Sequence, residues 1–206
     1  MNTDAQHSFI TACRPLLSIA LVALVAACGG GGDAAPAAAP APPAPPASSP
    51  GAGGPAPSTT GTCNLPDFAA TLLTRVNQYR AAGASCGSRG AFAAAPALTW
   101  NGALTQAADG HSGDMVANNF FSHTGSNGSS AGQRITAAGY VWNTYGENIA
   151  AGQASINEVV DGWMASDGHC ANIMNAAFAD IGVVCVPGSA STTYRTYWTM
   201  DLGKSR

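Results

Sequence analysis

Between residues 29 and 62 the chain offers almost nothing to bury. Every residue there is Gly, Ala, Pro, Ser or Thr except Asp33, and nine of them are proline. Without large apolar side chains a segment cannot offset the entropy of ordering itself. Residues 28–62 therefore read as a disordered tether. Paired prolines such as Pro42-Pro43 and Pro45-Pro46 favour extended polyproline geometry, which gives a reach of up to roughly 100 Å. Whatever folds must come from Cys63 onward, so a single domain is expected over residues 63–206.

Residues 1–27 read as an export signal. Arg14 precedes an uncharged run from Leu16 to Ala27. That run is far shorter than the roughly 20 residues needed to cross a bilayer, but it suits the apolar core of a signal peptide. Val25-Ala26-Ala27-Cys28 resembles a bacterial lipobox, in which the cysteine is lipidated and becomes the new N-terminus. The resemblance implies an extracytoplasmic protein held to the membrane by an N-terminal lipid anchor on Cys28. Gly29 after that cysteine points to the outer membrane in a Gram-negative cell; cleavage without lipid would leave a secreted protein. Charged residues make up 9% of the chain and the net charge is −3, so no basic face for nucleic acid is expected.

In the exported part four cysteines remain: Cys63, Cys86, Cys170 and Cys185. An even number in an oxidising compartment predicts disulfides. Zinc ligation by all four is the weaker reading, because no C-x-x-C pair exists. The favoured pairing is sequence-local, Cys63–Cys86 and Cys170–Cys185, each contributing about 3 kcal/mol.

Asn64, Pro66 and Asp67 look like a helix start, followed by Phe68, Leu72, Leu73, Val76 and Tyr79 on one face and Gly83 as the stop. Asn101 opens a second helix, whose stripe includes His111. A histidine there is expected in the core, bonded to a carbonyl or water. Gly110 and Gly113 weaken this helix by about 1 kcal/mol each and suggest close packing. Ser129 or Ser130 is placed to cap a short helix through Arg134. Residues 140–145 suggest a short strand before a Gly146-Glu147-Asn148 turn. Ser155 and Glu158 form a capping-box pattern before Val159, Val160 and Trp163. Residues 180–186 and 194–202 read as two antiparallel strands.

The chemistry-bearing residues gather between Phe120 and Met174. His123 and His169 are two of the chain's four histidines, Glu147 lies between them, and Ser166 stands three residues before His169. Two imidazoles and a carboxylate are ordinary ligands for a divalent metal, zinc above all. They also suit acid–base chemistry near neutral pH.

Leu98-Thr99-Trp100-Asn101, Phe121-Ser122-His123, Tyr145-Gly146-Glu147-Asn148-Ile149 and Trp163-x-x-Ser166-x-x-His169 occur in an order that resembles the bacterial branch of the CAP superfamily, whose units are also called SCP domains. That superfamily includes cysteine-rich secretory proteins, insect venom antigen 5 and plant pathogenesis-related 1 proteins. The resemblance implies an α+β fold, an α–β–α sandwich with a small antiparallel sheet between helical layers. It also implies a cavity holding two histidines and two acids. His123, Glu147 and His169 take three of those places, and Ser166 replaces the fourth, removing a negative charge.

Three functions fit these residues. The first is a binding module for a metal, a lipid or sterol, or an envelope-surface component. The second is a hydrolase, with zinc-activated water or with Ser166 as nucleophile beside His169. No G-x-S-x-G turn surrounds Ser166, which weighs against the serine version. The third is a structural or adhesive envelope protein whose polar cluster braces the core. Enzymatic activity is the lesser expectation.

Overall fold

The first helix, α1 (Phe68–Ala82), begins later than the Asn64 cap predicts. Its N-cap residue is Asp67, in the left-handed region at φ 48° and making no side-chain cap bond. The preceding residues are held elsewhere. Thr62 bridges Cys185 in parallel fashion, the Leu65 N–H donates to Thr62 O, and Cys63 and Asn64 also have positive φ. This arrangement belongs to a computed structural model that describes residues 61–206. The signal segment, Cys28 and the tether up to residue 60 lie outside the described residues. Ordered structure thus includes Gly61 and Thr62, just before the expected boundary at Cys63; Gly61 O accepts the Cys185 N–H.

Gly83 ends α1 as expected. A small hairpin follows, β1 (Ala84–Ser85) with β2 (Ala91–Phe92), around a 3-10 turn at Gly87–Arg89. After it come β3 (Thr99–Trp100), α2 (Gly102–Ala117), α3 (Ala131–Ala137), β4 (Trp142–Ala151), α4 (Ile156–Met164), α5 (Asp167–Met174), β5 (Asp180–Pro187) and β6 (Thr196–Ser205). Local capping sets three of these starts. The Asn101 side chain accepts from Ala103 and Leu104, Ser130 and Gln133 complete a reciprocal capping box, and Ser155 accepts from Glu158.

The main sheet runs β3-β5-β6-β4. It is antiparallel except for the short β3, which joins β5 in parallel. Residues directly opposite in an antiparallel pair share a face. Gly182, Asp201 and Glu147 therefore share one face, along with Thr199 and Ile149. This side lies under α2 and α3: the Ser112 hydroxyl bonds to that of Thr199, and Gly182 sits against the backbone of Leu104 and Thr105. The opposite face presents Ile181, Val183, Trp198, Met200 and Leu202 to α1, α4 and α5, forming the larger core with Leu72, Val76, Val160, Trp163 and Ile173. Two helical layers around one sheet make the expected α–β–α sandwich.

Three expectations need correcting. First, β4 runs straight through Gly146, Glu147 and Asn148, where a turn was expected. Gly146 is required because the Phe178 ring lies against it; an added Cβ would come within 2.9 Å of that ring. Second, Gly110 and Gly113 have nothing within 4 Å of an added Cβ, so close packing does not explain them.

Third, the disulfides are Cys63–Cys185 and Cys86–Cys170, not the sequence-local pairs. Folding brings Thr62 onto β5, which places Cys63 beside Cys185. It also docks the 3-10 turn on α5, where the Ser88 N–H and hydroxyl bind the Asp167 carboxylate one turn before Cys170. The two bridges are nested.

A buried arginine, Arg80, fastens α1 to the end of α5. Its guanidinium donates to the carbonyls of Pro96, Ile173, Asn175 and Phe178. Four acceptors offset much of the cost of burying that charge.

Candidate functional site

Strand β4 forms an edge of the sheet and carries Glu147 at its centre. The Glu147 side chain is buried, and both of its oxygens are engaged. His123 Nδ1–H donates to Oε1 at 2.7 Å, and Arg134 Nη2 donates to Oε2 at 2.6 Å. Burial by itself would raise the carboxyl pKa. The His123 hydrogen bond and the Arg134 charge more than offset it and hold Glu147 below its ordinary value.

His123 sits on the loop between α2 and α3, with its ring 57% exposed. Because Nδ1 donates to Glu147, the remaining nitrogen, Nε2, faces away from that bond and carries the free lone pair of the neutral ring.

Arg134 was not singled out by sequence beyond its place in a capped helix. Its Nη1 donates to Ser129 O at 2.8 Å, while Nη2 also donates to His123 O at 3.1 Å. One guanidinium therefore ties the loop at His123 and at Ser129 to Glu147. Asp201 was missed altogether. It lies directly opposite Glu147 on β6, fully buried, with no hydrogen-bond partner for either oxygen. Burial, followed by the neighbouring Glu147 charge, pushes its pKa well above the usual carboxylate range. Strict alternation in Tyr197-Trp198-Thr199-Met200-Asp201-Leu202 was the available signal: it sets Asp201 on the Thr199 side.

His111 is a core histidine, as anticipated. Its Nε2–H donates to Ser122 O at 2.9 Å, and burial lowers its pKa.

Next to this cluster, His169 and Ser166 line a cleft of about 330 Å³ that also takes in Ile149 of β4 and Phe121 of the His123 loop. Its floor includes Ile149, Ala150, Val159 and Trp163, and its rim carries Phe121 and Tyr194. The Trp163 indole N–H donates to Ile149 O, and Asn172 Nδ2 donates to Glu147 O. These side chains satisfy carbonyls along the outer edge of β4, which limits its use as a template for another strand.

Phe121 is 44% exposed and Tyr194 38% exposed. Their rings meet edge to face at 5.8 Å, and Tyr194 meets Tyr197 in the same way at 5.7 Å. The rim is thus a braced aromatic surface. Burial, then the nearby His123, lowers the pKa of His169 and favours its neutral form.

Of the four sequence candidates, His123 and Glu147 are hydrogen-bonded partners, while Ser166 and His169 share the cleft. Ser166 occupies the N-cap position of α5 without a side-chain cap bond, and no hydrogen bond joins it to His169. The nucleophile–base contact that a serine hydrolase uses is not formed.

Nor is the three-donor metal set of His123, Glu147 and His169 assembled. Among the described residues, no group of three His, Cys, Asp or Glu side chains is arranged to hold a metal ion. The donor chemistry explains why. Glu147 has given both oxygens to cationic or N–H partners, and His123 Nδ1 carries a proton toward it. Glu147 could ligate a divalent ion directly only by displacing the guanidinium, whereas His123 Nε2 stays open.

Comparison with protein families matches residues 73–202 to CAP, the cysteine-rich secretory protein family. The chain belongs to the cysteine-rich secretory protein family. It is 41% identical over 80 residues to YkwD of Bacillus subtilis (strain 168), across 39% of this chain and 31% of YkwD. It is 34% identical over 86 residues to the membrane protein YlbC of the same organism, across 42% of this chain and 25% of YlbC. It thus spans under a third of either relative. Among solved structures, an extracellular protein containing a SCP domain from Bacillus anthracis superposes with a TM-score of 0.51 at 26% identity, covering 66% of this chain and 41% of that one. An outer surface protein from Borrelia burgdorferi gives a TM-score of 0.56 at 20% identity, covering 67% of this chain and 92% of its own length. The second likeness is one of fold.

Proposed function

We propose that this CAP domain is an extracytoplasmic binding module whose cleft beside His169 takes an amphipathic component of the cell envelope. The observation that carries this reading is the cleft itself. It combines an apolar floor with a braced aromatic rim and a few polar groups, Ser166 and His169 among them. That is the usual make-up of a site that holds a ligand by burial and orients it by hydrogen bonds.

Location outside the cytoplasm is supported by the two disulfides and by the extracellular and outer-surface relatives. In this reading Cys28 carries the lipid, and residues 28–62 let the domain search a volume above the membrane. Metabolic labelling with palmitate should mark the wild type and not Cys28→Ala; equal labelling of both would remove the anchor from the account. For the cleft, retention of the mature protein on isolated envelopes should fall about tenfold in Phe121→Ala. Unchanged retention would exclude the rim as a contact.

One observation favours a second reading. Glu147 orients His123 through Nδ1 and leaves Nε2 as an exposed proton acceptor, the arrangement by which a carboxylate steadies a general base. A hydrolase working this way would use water rather than Ser166, and its turnover would vanish in His123→Gln.

A further inference from the structure

We infer that the occupant of the cleft beside His169 is an uncharged sugar bearing an N-acetyl group, as in a wall glycan, rather than a phospholipid head group. The inference rests on the reading of this cleft as a ligand site and adds the chemistry of the ligand.

Charge is the first argument. No Lys, Arg, Asp or Glu lines the cleft. Its polar lining is Gln153, Ser166 and His169, and the surroundings of His169 favour the neutral ring. The helix end beside it, at Ser166, already carries Asp167 in its first turn, which offsets the attraction of that end for an anion. A phosphate entering here would lose water without meeting a counter-charge.

The second argument is what the polar side chains lack. Among the described residues, neither the His169 ring nor the Ser166 hydroxyl makes a hydrogen bond, and Gln153 Oε1 is shut away from solvent without a donor. Three neutral groups awaiting partners around one opening match a ligand that carries hydroxyls and an amide. An amide N–H that draws the Gln153 carboxamide toward it satisfies an acceptor the free protein leaves orphaned. Ile149, Val159 and Trp163 offer the acetyl methyl an apolar floor. The C–H face of a pyranose carries slight positive charge and suits the negative faces of the Phe121 and Tyr194 rings. At about 330 Å³ the cleft has room for a sugar ring but not for paired acyl chains.

Gly162 supports the same assignment. With Val159 and Trp163 it forms the stripe of α4 that faces the cleft, and nothing lies within 4 Å of the place its Cβ would take. Glycine weakens a helix relative to alanine, and no neighbour in the fold requires it here. The space it leaves opens onto the ligand.

Calorimetry on the mature, disulfide-bonded chain tests this with three probes: tri-N-acetylchitotriose, cellotriose (hydroxyls in place of the acetamido groups) and a short-chain phosphatidylglycerol below its micellar concentration. The acetylated sugar should bind, cellotriose should bind about tenfold or more weakly, and the phospholipid should not compete. Gly162→Leu should weaken the acetylated sugar about tenfold or more while its thermal unfolding temperature stays at or above that of the wild type. Equal affinity for the two sugars, or no binding of either, would overturn the inference. So would a folded Gly162→Leu that binds as the wild type does. Phospholipid binding that Phe121→Ala and Gly162→Leu both abolish, without sugar binding, would keep the cleft as a ligand site and overturn only the sugar. The comparison of the two sugars on the wild type decides the matter even if Gly162→Leu does not fold.

Discussion

Nested disulfides make a quantitative prediction that sequence-local ones do not. On the chain-entropy relation, closing the 84-residue separation of Cys86 and Cys170 stabilises by about 4.6 kcal/mol at room temperature. Closing the 122-residue separation of Cys63 and Cys185 alone is worth about 4.9 kcal/mol. With the inner bridge already formed, however, the outer path shortens to roughly 40 residues and its closure contributes about 3.9 kcal/mol. Both together contribute about 8.5 kcal/mol, so removing the inner bridge alone costs about 3.6 kcal/mol. The two single losses therefore sum to about 1 kcal/mol less than the double loss. Paired Cys→Ser replacements of each bridge and of both, unfolded in urea with the remaining bridge oxidised, read this coupling directly. Were the pairs local, either paired replacement would break both bridges and cost as much as replacing all four cysteines, and that result would refute the nested arrangement.

Asp201→Asn should raise stability increasingly as pH rises from about 4, by about 1.4 kcal/mol per pH unit until the folded-state pKa is reached. The sign follows from a raised folded pKa: the wild type holds its stability below the unfolded value and loses it above. Glu147, with its lowered pKa, contributes in the opposite sense, so the difference between variant and wild type is the quantity to follow; parallel curves would contradict a buried, protonated Asp201. Arg80→Met should cost about 3–5 kcal/mol in urea unfolding, because four carbonyls lose a charged donor; a loss below about 1 kcal/mol would mean those bonds contribute little. Gly182→Ala should cost about 3 kcal/mol, since its Cβ would overlap the backbone of Leu104 and Thr105, whereas Gly110→Ala should stabilise by about 1 kcal/mol; thermal unfolding that reversed this order would mean α2 is free to shift on the sheet.

What the sequence disclosed follows the range of the interactions involved. The starts of α2 and α4 were legible because Asn101 and Ser155 bond to backbone within the next three residues. The start of α1 was misplaced because its boundary is set by Thr62 pairing with β5, far along the chain. Gly146 looked like a turn residue, yet the Phe178 ring 32 positions later is its reason. The four cysteines were legible as disulfides, but their partners depend on which surfaces fold together.

The candidate site shows the same division. Motif order singled out His123, Glu147, Ser166 and His169. Arg134 reads in sequence as an ordinary solvated charge, and only the loop folding back over it makes it the partner of Glu147. Asp201 was hidden inside a strand that otherwise reads as core.

The central claim, that the cleft beside His169 is where a ligand binds, is tested most directly by nuclear magnetic resonance. The mature protein would be titrated with muramidase-solubilised wall fragments and, separately, with phospholipid vesicles. The account predicts saturable shifts at the Trp163 indole N–H and at Phe121, Tyr194 and His169 with one of these probes. Those shifts should be abolished by Phe121→Ala while the Ser112 and Thr199 signals stay still. Shifts clustered elsewhere, for instance around the exposed Arg75–Asp161 pair between α1 and α4, would contradict it, as would no response to either probe.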